Sequence, residues 1–510
     1  MMKPKDSRNA KGRGRIPRRD VLAGLAGMAV TGMAAPFILK NGLSEPAKAA
    51  IPFVYPTAPQ PPADASVVDV TLTAKFRTRQ MLPAPAGLSQ IAGYDDKPEM
   101  MMIRLKQGQW LRAKLVNQLS EHTSVHWHGI RLPNAMDGVP YMTQPPVQPG
   151  ENFTYAFRPP DTGTFFFHPH CNTVEQYGRG LVGTLIVEGD EKRPSDADVI
   201  CAYRDWRLKP DGSFDALMTE KGAATAGTFG QVATMNGQPL PLRREVPANG
   251  DTRLRLLNLD LTRILEIGVE GAEAWVIATD GNAIDPVKLD SWKIGPAMRL
   301  DLLLRMPRQA GATVRVFNYF SPQPILLAEL TAGKTQLDKP PFTPDLLKPA
   351  NLREPKLDGA QQLPMRLSAA SSQSATAPEV KLPDGEVLRI ADALCLTPHT
   401  FWAINGQAWP AQGHDVLPPP LFKLAKGRSY VFEVANVTPR VHPIHLHGHT
   451  FKVLDSDRNT VVPHFADTTL VFPKERLRIA FVADNPGDWM VHCHIIEHQE
   501  TGMMGFFRVA

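Results

Sequence analysis

Apolar and polar residues alternate with a period of two along several stretches of this chain, most clearly at 68–76, 111–115, 254–256 and 314–316. Successive side chains of a β-strand point to opposite faces, so this alternation predicts strands that bury one face. No long stretch keeps the period of an amphipathic helix. Proline accounts for 48 of the 510 residues, and proline ends helices but is tolerated in turns and at sheet edges. The pattern therefore predicts an all-β protein.

The first and last thirds of the chain repeat one another. Gly108 precedes Asn117 by nine residues and a His-x-His pair by 18 and 20 residues, and Gly427 precedes Asn436 and a second such pair at the same spacings. Residues 156–170 and 480–494 also align without a gap, and each of these segments ends in a His-x-His pair. The middle third carries a fainter copy with no histidines at the matching positions. Three similar β units are the simplest interpretation.

The length of the chain agrees with this count, because 510 residues suggest about three domains. We predict one unit over residues 50–190, a second over 191–333 and a third over 381–510. Residues 334–380 are rich in Pro, Ser and Ala and are predicted to form a linker into the last unit.

The charge of the chain is concentrated at its beginning. The formal net charge is +5, but residues 1–49 alone carry +7, which leaves −2 on the remainder. A nucleic-acid-binding surface is therefore not expected.

Residues 1–49 have the features of a secretory signal of the twin-arginine type. Arg18 and Arg19 precede a short apolar run, and Ala47-Lys48-Ala49 offers a small-x-small cleavage site. We expect the twin-arginine export machinery as a partner and a periplasmic or otherwise exported protein; the alternative is a disordered basic arm. No later segment has 18 uninterrupted apolar residues, so no membrane span is expected in the mature chain.

Histidine pairs are the strongest chemical signal in the sequence. The chain has 15 His, for which random placement predicts roughly 0.4 His-x-His pairs, yet five occur. Residues i and i+2 of a strand point to one face, so each pair aims two imidazoles at one place. Imidazole suits copper, zinc, iron and nickel. Eight imidazoles from the first and last units fit a cluster of about three metal ions between them.

A second set of candidate ligands surrounds Cys493. A thiolate, two imidazoles and a weak axial methionine form a blue-copper site, and Cys493 with His442, His498 and Met503 supplies that combination. Cys493 lies between His492 and His494, so on a strand it points away from them. One strand would then connect a mononuclear site to the cluster. The alternative is an inert core thiol.

Together these motifs resemble the four copper signatures of three-domain multicopper oxidases, a family that includes laccases, cuprous oxidases and ferroxidases. The matching segments are His126-Trp-His128-Gly, His168-Pro-His170, His442-Pro-Ile-His445-Leu-His447-Gly and His492-Cys493-His494-Ile-Ile-Glu-His498 followed by Met503. The resemblance implies three consecutive cupredoxin-like Greek-key β-barrel domains and four copper ions. By motif, type 1 copper would be bound by His442, Cys493, His498 and Met503, and type 2 copper by His126 and His445. One type 3 copper would be bound by His128, His168 and His494, and the other by His170, His447 and His492.

The resemblance also implies a mechanism. A reductant gives one electron at a time to type 1 copper, electrons pass along His492-Cys493-His494, and four of them reduce O2 to two waters. Asp137 matches a carboxylate that relays protons beside type 2 copper in relatives, although Asp137-Gly138 is also a turn dipeptide. The sequence departs from several bacterial relatives at Gln499, where they carry a proton-donating Glu; Glu497, Glu500 or water could replace it.

The electron donor is the least defined part of the prediction. We predict an exported, monomeric, laccase-like oxidase of phenols and aromatic amines; the alternative is a metallo-oxidase of Cu(I), Fe(II) or Mn(II). A metal-free scaffold and a two-site copper nitrite reductase are further alternatives. His449 is expected to be structural, because its place in the motif does not usually bind copper. At most one disulfide can form among Cys171, Cys201 and Cys395.

Overall fold

Strands dominate every part of the chain that the computed structural model describes, namely residues 54–97, 100–369, 379–381, 387–389, 401–409 and 417–510. The predicted signal at 1–49 and Cys395 lie outside these residues. All four of the alternating stretches noted above lie within strands. The fold is all-β, as predicted, with three consecutive cupredoxin-like units.

The first third forms two four-stranded sheets, ordered β2-β1-β4-β6 and β3-β8-β7-β5. Apolar side chains from both sheets, such as Leu72 and Leu115 from one and Phe167 and Leu185 from the other, meet in one core. Two of the pairings, β1 with β4 and β3 with β8, are parallel. The strands are β1 Val67–Arg79, β2 Ser89–Gly93, β3 Met101–Lys106, β4 Trp110–Asn117, β5 His126–His128, β6 Asn152–Phe157, β7 Gly163–His168 and β8 Gly183–Glu188.

The middle third forms a seven-stranded sheet, β11-β10-β9-β13-β18-β15-β16, and a five-stranded sheet, β12-β20-β19-β14-β17. It again has two parallel pairings, β9 with β13 and β12 with β20. The strands are β9 Ala197–Trp206, β10 Val232–Met235, β11 Gln238–Pro239, β12 Leu242–Ala248, β13 Asp251–Asn258, β14 Leu265–Glu270, β15 Ala274–Thr279, β16 Asn282–Lys288, β17 Trp292–Ile294, β18 Arg299–Arg305, β19 Thr313–Asn318 and β20 Ile325–Gln336.

The last third forms sheets β24-β21-β26-β31-β28-β29 and β25-β33-β32-β27-β30, with a separate hairpin β22-β23. Its parallel pairings are β21 with β26 and β25 with β33. The strands are β21 Gln361–Ala369, β22 Glu379–Lys381, β23 Val387–Arg389, β24 Trp402–Ile404, β25 Phe422–Leu424, β26 Ser429–Asn436, β27 His442–Leu446, β28 Phe451–Ser456, β29 His464–Ala466, β30 Thr468–Val471, β31 Arg476–Val482, β32 Gly487–Cys493 and β33 Met504–Val509.

The structure differs from the sequence-based boundary at the predicted linker. Strand β21 lies inside residues 334–380 and pairs with β26 over seven residues. Met365 and Leu367 are both fully buried in the core of the last third. Alternation of apolar residues therefore forms a strand here, although Pro, Ser and Ala are frequent around it.

The internal repeat is visible in three equivalent asparagines, one at the end of a strand in each third. Asn117, Asn258 and Asn436 each donate from Nδ2 to two backbone carbonyls, at 2.7–3.1 Å. In each case the side-chain oxygen accepts the backbone N–H two residues later. The same side chain thus fastens the same corner in each third, including the one without histidine pairs.

Helices in the described residues are short and lie near the candidate site. They are α1 Thr173–Gly178, α2 Glu220–Ala223 and α3 Ile496–Glu500, with a 3₁₀ turn at Asn134–Met136. Within the described part of the chain, no helix has the length and hydropathy needed to cross a membrane.

Candidate metal centres

Eight histidine rings from the first and last thirds converge in one buried cluster, which we call the histidine cluster. Strand β5 pairs with β7 so that His126 lies opposite His168, and β27 pairs with β32 so that His445 lies opposite His492. Rings of the two thirds stack on each other: His128 lies 3.7 Å from His445 between ring centroids. The other members follow these strands within two residues; they are His170, His447 and His494.

Potential ligand atoms in the histidine cluster form compact groups. In each group, the ligand atoms all lie within 4.8 Å of one another and every residue is buried. Two groups coincide with the trios assigned above to type 3 copper. The groups are His128, His168 and His494; His170, His447 and His492; His126, His128 and His445; and His126, Asp137 and His447.

The unpartnered nitrogens show that these residues fit metal ions. Within the histidine cluster, the buried ring nitrogens without a hydrogen-bond partner are Nε2 of His126, His168, His170 and His445, Nδ1 of His128, and both nitrogens of His494. An unpaired buried polar atom is costly, whereas a metal ion would satisfy one such nitrogen on each ring. Burial also lowers the pKa of the His170, His492 and His494 rings well below 6.5, which favours the neutral imidazole that binds metals.

The distance between two facing ring nitrogens also indicates a metal site. Nε2 of His447 lies 3.1 Å from Nε2 of His492. Nδ1 of His447 lies 2.9 Å from Oδ2 of Asp137, and Nδ1 of His492 lies 3.0 Å from the Cys493 carbonyl oxygen. These oxygens accept, so both Nδ1 atoms donate and both Nε2 atoms present lone pairs. Two facing lone pairs at this distance call for a shared cation.

Two aspartates hold the histidine rings in a crossed, nearly symmetric arrangement. The backbone carbonyl of Asp137 accepts from Nδ1 of His126 at 2.9 Å, while its carboxylate crosses to His447 of the last third. The backbone carbonyl of Asp467 accepts from Nδ1 of His445 at 2.8 Å, while its carboxylate lies 3.1 Å from Nε2 of His128 in the first third. Each aspartate therefore orients one ring of its own third and one of the other.

The two carboxylates differ in their counter-charge. Arg299 of the middle third is fully buried and donates from Nη1 to Oδ1 of Asp467 at 2.9 Å and from Nη2 to Oδ2. Burial disfavours the charged form of Asp467, but the Arg299 guanidinium overcomes this and holds the pKa of that carboxyl well below its usual range. Oδ1 of Asp137 is buried 3.2 Å from Nδ1 of His126, but it accepts no hydrogen bond, because that nitrogen donates to the Asp137 backbone carbonyl. The cluster thus contains one carboxylate paired with the Arg299 guanidinium and one whose Oδ1 accepts no hydrogen bond.

The second candidate centre lies on the other face of strand β32. Sγ of Cys493 is 3.6 Å from Nδ1 of His442 and 3.7 Å from Nδ1 of His498, and these two nitrogens are 3.1 Å apart. Nε2 of His498 donates to the Thr225 carbonyl at 2.8 Å, so its Nδ1 presents a lone pair toward the others. This trio fits a single ion, and burial raises the pKa of the Cys493 thiol, a penalty that a bound cation would offset.

Backbone hydrogen bonds place Met503 beside this trio. Its N–H donates to the His498 carbonyl at 2.9 Å, and its carbonyl accepts from the Cys493 N–H at 3.0 Å, while its side chain is fully buried. The alternation along β32 thus separates the thiol from its neighbours: Cys493 faces His442 and His498, whereas His492 and His494 face the histidine cluster.

The acidic side chains near Gln499 occupy different environments. Glu497 is buried and bound to the segment around Thr219 and Thr228, on the side of the Cys493 centre. Glu500 accepts from Nε2 of Gln499 at 3.2 Å, and burial raises the pKa of its carboxyl to about 7. His449 lies among the rings of three aromatic residues in the core of the last third and belongs to none of the candidate ligand groups in the described residues. Cys171 and Cys201 are both buried free thiols.

Sequence reasoning missed several residues that support these centres. Asp467 could have been found by asking which residue of the last third plays the part of Asp137. Arg299, Thr225 and Trp402 carry no such signal, because they reach the centres from distant segments. Trp402 packs against both rings of the second centre, with centroids 5.0 Å from His442 and 4.5 Å from His498.

Comparisons with known proteins agree with this arrangement. Sequence profiles described as multicopper oxidase match residues 77–192, 199–323 and 393–510. The crystal structure of a multicopper oxidase from Pseudomonas thermotolerans is 37% identical, with a TM-score of 0.76, and the match covers 88% of this chain and 100% of that one.

Two curated relatives resemble this chain at lower identity. Multicopper oxidase MmcO of Mycobacterium tuberculosis is 29% identical, over 79% of this chain and 80% of its own length. Laccase-1 of Botryotinia fuckeliana is 28% identical, over 76% and 73%. The chain therefore belongs to the multicopper oxidase family and is a copper-dependent oxidoreductase that uses O2 as electron acceptor.

Proposed function

We propose that this protein is an exported, monomeric, laccase-like oxidase that binds four copper ions and oxidises phenols or aromatic amines by one-electron steps while O2 is reduced to water. The observation that carries the proposal is the end of strand β32. Cys493 faces one ligand trio and its two neighbours face the histidine cluster, so three consecutive residues connect the two centres covalently.

The ligand groups support an assignment to individual coppers. His442, Cys493, His498 and Met503 would hold type 1 copper, and His126 and His445 would hold type 2 copper. His128, His168 and His494 would hold one type 3 copper, and His170, His447 and His492 the other. Bound at these sites, copper supplies one-electron redox chemistry and a polynuclear centre at which O2 takes up four electrons.

The surrounding residues would orient these ligands and move protons. Backbone carbonyls of Asp137 and Asp467 fix which nitrogen of His126 and His445 faces the cluster. Reduction of one O2 to two waters consumes four protons. Oδ1 of Asp137, which accepts no hydrogen bond and lies 3.2 Å from Nδ1 of His126, is the carboxylate oxygen best placed to carry them, because the Asp467 carboxylate is neutralised by Arg299.

The burial of His498 favours metal ions as a second class of candidate electron donor. The similarity to proteins named laccase favours phenols as the electron donors. However, His498 is fully buried, and its Nε2 donates a hydrogen bond to the Thr225 carbonyl. A bulky donor therefore cannot contact the ring. A metallo-oxidase of Cu(I), Fe(II) or Mn(II) is therefore the second candidate.

Copper analysis followed by a donor panel tests the proposal. We expect four coppers per chain, the visible absorption of a thiolate–copper centre, and O2 consumption with a phenol. A protein that is folded but binds no copper stoichiometrically would be a scaffold. Negligible turnover of phenols with rapid turnover of Cu(I) or Fe(II), compared as kcat/KM, would replace the laccase-like proposal by the metallo-oxidase.

The proposal of export rests on the sequence of residues 1–49. Replacing Arg18 and Arg19 by lysine should leave the protein in the cytoplasm if the twin-arginine route carries it. Unchanged appearance of the variant outside the cytoplasm would refute that route. Sedimentation of the purified protein tests the expected monomer.

A further inference from the structure

A segment of the middle third, residues 219–228, covers the centre built on Cys493; we call it the cap. His498 donates from Nε2 to the carbonyl of Thr225 at 2.8 Å, and Trp402 donates from Nε1 to the carbonyl of Ala223 at 2.6 Å. The ring of Trp402 in turn packs on the ring of His498. The edge of the His498 imidazole that points away from the Cys493 thiol is therefore covered by the backbone of the cap.

Glu497, the residue before His498, fastens both ends of the cap. Its Oε1 accepts from the Thr219 backbone N–H at 3.0 Å and from the Thr228 hydroxyl at 2.7 Å. Its Oε2 accepts from the Thr228 backbone N–H, and Arg207 lies 3.5 Å away as counter-charge. Glu497 is only 1% exposed. A buried carboxylate with this many donors gives the cap a defined position on α3.

The cap packs closely against Glu497 at Gly222. Thr219 caps α2 by accepting from the Gly222 N–H and also lies 2.8 Å from the Thr228 hydroxyl. A methyl group added at Gly222 would lie 2.0 Å from the Thr228 hydroxyl oxygen and 2.7 Å from Oε1 of Glu497. The middle of the cap has small side chains, and Ala224 is exposed on its outer face while Thr225 is half-buried.

We propose that the cap and its anchor Glu497 determine which electron donors this protein accepts. The inference rests on the proposed function, in which His442, Cys493 and His498 hold type 1 copper. Each donor loses one electron, and with the cap closed that electron crosses the hydrogen bond between the Thr225 carbonyl and the His498 ring. Electron transfer weakens steeply with distance. Small donors that reach the outer face of the cap are therefore favoured over multi-ring phenols, which need contact with the imidazole itself.

Two substitutions loosen the cap by different routes. Thr228→Ala removes the hydroxyl that joins Glu497 to Thr219, and Gly222→Ala forces the cap outward by steric conflict. Thr71→Ala, at an exposed position on β1, is the matched control. Loss of one such hydrogen bond should raise the open fraction of the cap about fivefold. Trypsin should then cleave after the exposed Lys221 about fivefold faster in both copper-loaded and copper-free protein, with no change in the control.

The donor panel uses syringaldazine, a two-ring phenol, and ferrous ion. Both loosened variants should raise kcat/KM for syringaldazine about fivefold, mainly through KM, and leave kcat/KM for ferrous ion nearly unchanged. Faster cleavage at Lys221 with an unchanged ratio of the two kcat/KM values would overturn the inference, as would equal changes for both donors. Wild-type protein without copper or visible absorption would instead overturn the proposed function.

Discussion

Arg299 is the point at which the middle third, which offers no metal ligand of its own in the described residues, acts on the histidine cluster. Its guanidinium donates to the Asp467 carboxylate and to the backbone carbonyls of Thr164, Asp280 and Ala297, at 2.9–3.1 Å apart from one shorter contact to Asp467. We predict that Arg299→Met leaves Asp467 buried with no cation. Breaking a buried ion pair by removing one partner costs about 3–5 kcal/mol.

The burial of Asp280 beside Asp467 adds to this cost. Burial, together with the charge of Asp467, raises the pKa of the Asp280 carboxyl to about 7. Without the guanidinium, the two carboxyls face each other with less compensation. Asp467 should move, and His128 and His445, which its carboxylate and its backbone carbonyl respectively orient, should lose their positions. In the described residues, Arg299 forms no hydrogen bond or ion pair with the ligands of the Cys493 centre, which should be unaffected.

Three measurements test this prediction together: the urea midpoint of unfolding, copper per chain, and the electron-resonance spectrum. Arg299→Met should lower the midpoint and the copper content of the histidine cluster while preserving the visible absorption of the Cys493 centre. Arg478→Met is the control, because Arg478 pairs with Asp455 on the surface, where both side chains are about half exposed and such a pair contributes about 0–1 kcal/mol. Equal destabilisation by the two substitutions, or equal copper loss at both centres, would refute the reasoning.

Other substitutions separate the two centres. Cys493→Ser should abolish the visible absorption and oxidation of the donor while the fold persists, as circular dichroism would show; retained activity would contradict the assignment. His126→Ala should keep that absorption and its bleaching by an anaerobic donor but stop O2 consumption, and continued consumption would show that His126 is dispensable. Asp137→Asn should keep copper and slow O2 reduction about 100-fold, with anaerobic reduction of the Cys493 centre as the internal control; an unchanged oxygen-electrode rate would rule out its role with protons. Because burial lowers the pKa of His170 and His494, unfolded copper-free chain binds more protons than folded chain below about pH 6.5. The urea midpoint of copper-free protein should therefore fall as pH drops from 7 to 5, and a rising midpoint would contradict those shifts.

Most of the ligand set could be predicted because its signal is local. His-x-His places two imidazoles on one face of a strand, and a cysteine between two histidines must point away from both. The linker boundary was less successful, because composition masked the strand containing Met365 and Leu367.

The sequence alone therefore determined the all-β architecture, its threefold repeat and the residues able to bind metal, since periodicity and short spacings are properties of neighbouring residues. How the centres are supported and covered depends instead on the packing of distant segments. Arg299 contacts Asp467 across 168 residues, and Thr225 contacts His498 across 273. Such contacts leave no periodic trace in the chain, because they exist only once separate sheets have packed and buried charges have found their partners.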